Sequence, residues 1–227
     1  MTPALFEVDF RRPLLVARFS APQRMLSWSI SRPGFVTAHA VAMLEVRDGD
    51  LAPDVDPRAL LADRLAAEGL QEAVGLMTSR DIARHHRATR RVDGVGAGAL
   101  VTLGLNNGER VGMRVPSRLP ERVGTVNILA ALSVPLTNAA LAEALSIAVE
   151  ARTVAILEAG YHREGQDAPV TGTGTDCVVV SAPAAVPGTA PHEYAGLHTA
   201  AGEALGAAVL SATREAAAQW IRDQSAS

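Results

Sequence analysis

The 227-residue sequence predicts a single α+β domain, a layered fold in which a mixed or largely antiparallel sheet is packed by long C-terminal helices. Three observations carry this expectation. Strand-like apolar segments come first, two long Ala-rich helical segments come late, and no regular βαβ alternation links them. The composition, 48% hydrophobic, is enough to fill the core of one large domain.

Residues 1–26 read as an N-terminal segment ahead of the first assigned strand. From 35 to 47, "FVTAHAVAMLEVR" places Phe35, Thr37, His39, Val41, Met43 and Glu45 on one face. Val36, Ala38, Ala40, Ala42, Leu44 and Val46 take the other, which is the face expected to be buried. Residues 56–69 carry Asp56 as N-cap, Pro57 at the first helical position and Gly69 as a stop, so they predict a helix. Further strands are expected at 73–79, 97–105 and 125–133, and 106–122 reads mostly as loop. Thr137 or Asn138 then caps a long helix that ends at Gly160. "TGTGTDCVVV" (171–180) is a loop entering a strand built on Val178, Val179 and Val180, and 181–193 is a Pro/Ala surface loop. Residues 194–223 supply a last helix after a Gly-interrupted start.

Composition removes several classes of function. A net charge of −3 gives no general drive toward nucleic acid or an anionic membrane. All 21 basic residues are arginine, so neither a Walker lysine nor a Schiff-base lysine is available. Cys177 is alone and cannot form an internal disulfide. The apolar run at 123–136 is short and interrupted by Thr125, Asn127 and Ser133, which argues against a membrane span. A soluble, cytoplasmic protein is expected. There is no G-x-S-x-G elbow, no H-E-x-x-H and no pair of cysteines for zinc.

What remains is a set of polar residues where the apolar pattern expects none. Asn127 interrupts a strand, Glu150 and Arg152 sit inside the long helix, Asp176 opens the last strand, and His198 and Thr199 precede the last helix. Asp176 has two readings: an Asx-type turn residue, or a carboxylate that orients or deprotonates water beside a glycine loop. Thr173 and Thr175 could bind a ligand or satisfy the turn, and Gly174 permits close approach of backbone amides to an anion or carbonyl. Glu150 and Arg152 lie roughly 200° apart around a helix, so one can face inward while the other faces water. His39 and His198 are too far apart in the chain to define a metal spacing, and no metal site is assigned. "RHHRATRR" (84–91) lacks interleaved aromatics and reads as a solvated connection. Asp176 beside Cys177 should raise the thiol's pKa, which disfavours a thiolate nucleophile.

Taken together, "GTVNILAALSVPLT" (124–137), "VEARTVAILEAG" (149–160), "TGTGTDCVVV" (171–180) and "YAGLHTAAGEALG" (194–206), in that order, resemble the adenosylcobinamide amidohydrolases of corrinoid salvage. The resemblance runs from about Ser27 onward. It departs from the family at Arg152, where lysine is usual, and at "AAGEALGAAV", where a more aliphatic run is usual; both bear on substrate recognition. The resemblance implies hydrolysis of the amide joining aminopropanol to the corrin ring, with a small-molecule corrinoid as partner, no nucleic acid, no membrane and oligomerisation left open. It implies no protein cofactor, since the cobalt belongs to the substrate. Amide hydrolysis needs a nucleophile, oxyanion stabilisation and a proton for the amine. Asp176 is the expected base, Glu150 its rival, and His198 the expected acid. Asn127, Thr173, Gly174, Thr175, Thr199 and His39 are the expected substrate contacts. A threonine nucleophile is the mechanistic rival, and a corrinoid-binding protein without turnover or a hydrolase of another bond are the functional ones.

Overall fold

The computed structural model describes residues 4–52, 54–113 and 124–225. In chain order the strands are β1 (Glu7–Arg11), β2 (Leu14–Ser27), β3 (Gly34–Glu45), β4 (Val74–Thr78), β5 (His86–Val92), β6 (Val95–Leu103), β7 (Gly108–Glu109), β8 (Val126–Leu132), β9 (Gly172–Thr173) and β10 (Cys177–Pro183). The helices are α1 (Pro57–Ala67), α2 (Asn138–Ala159) and α3 (Ala200–Ser225). Local chemistry sets their ends as expected. Asp56 accepts the Arg58 N–H at the start of α1, Thr137 accepts the Ala140 N–H at the start of α2, and Gly160 closes α2 at φ 66°.

One mixed sheet of eight strands runs β4-β3-β2-β10-β8-β6-β5, with β1 added to β2; β7 and β9 pair separately. Parallel pairing occurs only at β3/β4 and β8/β10 among these strands, and each pair is joined through a helix, α1 and α2 respectively. Two such units therefore exist inside a mostly antiparallel sheet. The register of β2 with β3 slips between Arg18 and Gln23, an irregularity of the kind that bends strands.

Three apolar clusters show how the sheet folds over itself. Leu61 and Leu65 of α1 pack on Ala40, Ala42 and Leu44 of β3. The opposite side of that leaf, with Val41, Met43, Val74 and Leu76, meets Leu100, Leu129, Ala131 and Val179 of the other leaf. The far side of the second leaf, including Val101, Ile128, Ala130 and Val180, is covered by α2 and α3. The result is four layers, helix, sheet leaf, sheet leaf, helices. Alanines 144, 148, 204, 208 and 212 let α2 and α3 press closely together.

The sequence reading changes at four places. Val41, Met43 and Glu45 are buried along with the other face of β3, because this strand is sandwiched between α1 and the second leaf. Residues 14–27, left inside the N-terminal segment, form the long strand at the bend. "RHHRATRR" is mostly edge strand β5, where exposed Arg87, Arg90 and Arg91 guard the open edge against further pairing. Helix α3 starts at Ala200 rather than 194, because Thr199 accepts the Gly202 N–H and caps it there. Much of the expected loop at 106–122 lies outside the described residues.

Leu61 is fully buried between α1 and its leaf. Leu61→Ala is expected to lower unfolding free energy by about 2–5 kcal/mol in urea denaturation. A loss well under 1 kcal/mol would show that α1 is not part of the cooperative unit.

Candidate active site

Asp176 immediately precedes β10, whose Cys177 pairs with Asn127 of β8, so the carboxylate lies at the N-terminal ends of two parallel strands. Its side chain is nearly buried, 6% exposed, against Arg152 of α2 at 3.0 Å. Oδ1 accepts the Val126 N–H at 3.1 Å and the Thr173 hydroxyl at 2.5 Å, while Oδ2 accepts the Thr173 N–H at 2.9 Å as well as the Arg152 guanidinium. A carboxylate offers about four lone-pair sites, and all four are taken. Burial pushes this carboxyl above the ordinary carboxylate range, opposed by Arg152 and by the hydrogen bonds from Thr173 and Val126. Gly172 lies so close that a Cβ there would strike Asp176 Oδ2, which explains why the turn needs glycine at this point.

The neighbouring hydroxyls form a directed chain. Thr175 Oγ1 donates to the Gly124 carbonyl at 3.0 Å, so Thr125 Oγ1, 2.9 Å from it, must donate to Thr175. Asn127 is buried, and its Nδ2 donates to the Met77 carbonyl at 2.7 Å, tying β8 to β4 across the two leaves. The Trp28 indole N–H donates to the Asp176 carbonyl at 2.7 Å.

These groups wall a cavity of about 740 Å³ where the leaves part. The β8 and β10 side contributes Thr125, Asn127, Gly174, Thr175 and Asp176; the opposite side contributes β4 and the segments after β2 and β3, with Trp28, Ile30 and Leu51 among them. Cys177 also borders it, but burial first, and then Asp176, push its thiol up to about 12. That agrees with the expectation of an inert thiol, with burial the larger cause.

Of the residues singled out in the sequence, the structure brings together Asn127, Thr173, Gly174, Thr175 and Asp176. It separates the others. Glu150 is exposed, because Arg152, two residues on, takes the inward face of α2. His198 and Thr199 belong to the α3 cap, and Thr199 is occupied there, bonding to the Gly196 carbonyl and the Gly202 amide. That cap lies by the start of α2, where Ala195 bonds to Glu143, at the end of the leaf opposite Asp176. His39 is exposed on β3, seven residues before cavity residue Val46, which is roughly 23 Å of extended chain. Trp28, Thr125 and Arg152 were missed or undecided. The only local signal for Trp28 was an aromatic side chain between two serines.

Fold and site together define a four-layer α+β domain with a cavity opening between its sheet leaves, lined by hydroxyls, an amide, an arginine and one acidic residue whose buried carboxylate pairs with Arg152 of α2. The chain belongs to the CbiZ family, adenosylcobinamide amidohydrolase, whose model matches residues 2–225. The match thus includes the first strands, which the resemblance from Ser27 left out. An adenosylcobinamide amidohydrolase of Halobacterium salinarum is 33% identical over 174 residues, covering 73% of this chain and 68% of that protein. Among solved structures, the PH0078 protein of Pyrococcus horikoshii OT3 aligns with a TM-score of 0.51 at 13% identity, over 92% of this chain and 78% of that one, a likeness of fold alone. The l-aminopeptidase d-ala-esterase/amidase of Ochrobactrum anthropi, described as a variant among the Ntn hydrolase fold, aligns at 0.43 and 12% identity over 96% and 82%, too loosely to bear on chemistry. No helix among the described residues is long and apolar enough to cross a membrane.

Arg152→Met leaves a buried carboxylate without its cation, and a loss of about 3–5 kcal/mol is expected near pH 8. Arg152→Lys keeps the charge and should lose less. In Arg152→Met the folded-state pKa of Asp176 rises further, so the folded protein keeps a proton that the unfolded chain releases. That contribution is complete below the ordinary Asp value and is lost as pH rises through the raised value, so the deficit against wild type should narrow on acidification in urea titrations.

Proposed function

We propose that this protein hydrolyses the amide linking aminopropanol to the corrin ring of adenosylcobinamide, releasing adenosylcobyric acid and 1-amino-2-propanol for cobamide salvage. Family membership supports the reaction class. One structural observation carries the assignment of roles: Asp176 is the only Asp or Glu, and no histidine stands, among the described residues lining the cavity.

Three of the four donors to Asp176 are fixed, two backbone amides and a guanidinium, while the Thr173 hydroxyl can rotate. In this reading Thr173 Oγ1 gives up its place on Oδ1 to a water molecule. Asp176 takes a proton from that water as its oxygen bonds to the amide carbon. The C–N bond then breaks as the same carboxyl returns the proton to the departing nitrogen, so His198 is not required. A carboxyl raised by burial is better matched to both transfers than an ordinary one. The Gly174 amide is the proposed oxyanion donor, because the Thr175 amide already donates to the Thr173 hydroxyl and one Nδ2–H of Asn127 to the Met77 carbonyl. Asn127 thus holds the two walls together with one N–H and has its second N–H and its Oδ1 to offer the substrate.

Thr175 passes its proton to a backbone carbonyl, which cannot act as a base, and this argues against Thr175 as the nucleophile; the rival threonine is Thr173, whose hydroxyl donates to Asp176. Incubation with adenosylcobinamide should release aminopropanol, detected by mass spectrometry. Corrinoid binding without release would move the protein to the binding class, and release from other amides alone would reassign the substrate. Asp176→Asn, checked for folding by circular dichroism, should lose roughly 100-fold or more in kcat. In wild type, kcat/KM should fall as pH drops through the raised Asp176 value, with its acid limb above the ordinary carboxylate range; a limb at or below that range would remove Asp176 as the base.

Among the described residues no three His, Cys, Asp or Glu side chains come together as metal ligands. Activity is therefore expected to survive exhaustive chelation. Loss restored by one added divalent ion would overturn that expectation.

A further inference from the structure

We propose that Trp28 is the platform on which the corrin ring lies, with only the amide-bearing arm entering the cavity. This rests on the corrinoid reading above and adds to it a division of the substrate between two surfaces.

Trp28 is 45% exposed at the cavity wall, although its one polar atom is already satisfied by the Asp176 carbonyl. A tryptophan held by its N–H edge cannot swing freely, and its remaining exposed surface is apolar. Ile30 and Leu51, 43% and 39% exposed, line the same cavity. Three large apolar side chains left open around one cavity are unusual for a folded surface that needs no partner. Polar side chains line both walls, Thr125 and Thr175 beside Asp176 and Ser29, Arg47, Thr78 and Ser79 facing them, so the three open apolar side chains stand among groups that can also bond the rim of a ligand.

Size sets the division. A compartment of about 740 Å³ falls within the range that encloses a drug-sized ligand, whereas a corrin ring with its rim of side chains and an adenosyl group is far bulkier. An extended amide arm fits inside. The ring must then stay at the mouth, where a rigid aromatic surface offers large contact area at small entropic cost. The bond from the indole to the Asp176 carbonyl also places this platform in fixed relation to the proposed base, so seating the ring would fix how far the arm reaches.

The test uses the full chain and measures adenosylcobinamide binding by equilibrium dialysis, with aminopropanol release followed in parallel. Trp28→Ala should raise Kd roughly 30-fold, the scale of a buried aromatic anchor at an interface. Trp28→Phe keeps a ring but loses the N–H, and should stay within a few-fold of wild type. Trp220 is the only other tryptophan and is buried against Tyr161, so Trp220→Phe serves as the control and should bind as wild type does. If wild type binds and turns over adenosylcobinamide while Trp28→Ala binds within threefold of it, the platform is wrong and the proposed reaction stands. If Trp28→Phe is as weak as Trp28→Ala, the hydrogen bond to Asp176 carries the effect and stacking is overturned. If wild type neither binds nor turns over the corrinoid, the proposed reaction itself fails and the platform with it.

Discussion

The buried carboxylate of Asp176 is the point at which three separately formed parts of the molecule are joined. Arg152 reaches it from α2, the Val126 amide from β8, and Thr173 from the turn before β10. Burying two opposite charges costs several kcal/mol per ion unless every lone pair is satisfied, and here the fit is complete on the carboxylate side. The same arrangement that makes the pair tolerable fixes the loop. Thr175 and Gly174 can face the cavity in a set geometry only because Asp176 beneath them has no freedom to move.

A second constraint comes from the sheet. Its inner strands β3, β6, β8 and β10 are apolar on both faces, so neither leaf can be left open to water, and folding the sheet over itself buries one face of each leaf against the other. Helices then cover the two outer faces. Where the leaves part, their ends leave a cavity that inherits apolar walls from the core and polar groups from the strand termini. The site is accordingly hydrophobic overall, with hydroxyls on both walls, Thr125 and Thr175 on one and Ser29, Thr78 and Ser79 on the other. The bond from Asn127 to Met77 sets the separation of the leaves at that point.

The charged residues around Glu45 and Arg80 perform different work. Glu45 is buried and accepts from Arg12, Arg47 and the Ile82 amide, which pins the end of β3 to the turn after β4. Arg80 pairs with Asp223 near the end of α3, holding that helix against the same turn. With no lysine in the chain, each of these junctions uses the multiple donors of a guanidinium where a single ammonium would satisfy fewer acceptors.

The sequence alone determined the features that are decided over a few residues. Alternation placed β3, apolar runs between turn-forming connections placed β4, β6 and β8, the caps Asp56 and Thr137 and the stop at Gly160 placed α1 and α2, and the turn residues marked the loop that carries Asp176. Those signals are local because they depend on backbone hydrogen bonds and side-chain period. Tertiary structure alone decided which polar interruptions meet. Glu150 and Arg152 are equivalent in the helix pattern until the sheet packs on one side, and Asp176 selects between them from 24 positions away. Trp28 finds its partner 148 positions along the chain, and Asn127 finds Met77 50 positions back, distances at which no periodic pattern carries information. Strand β2 escaped notice for the same reason: its bulge breaks the alternation, and only its pairing with β3 on one side and β10 on the other makes it a strand at the centre of the sheet.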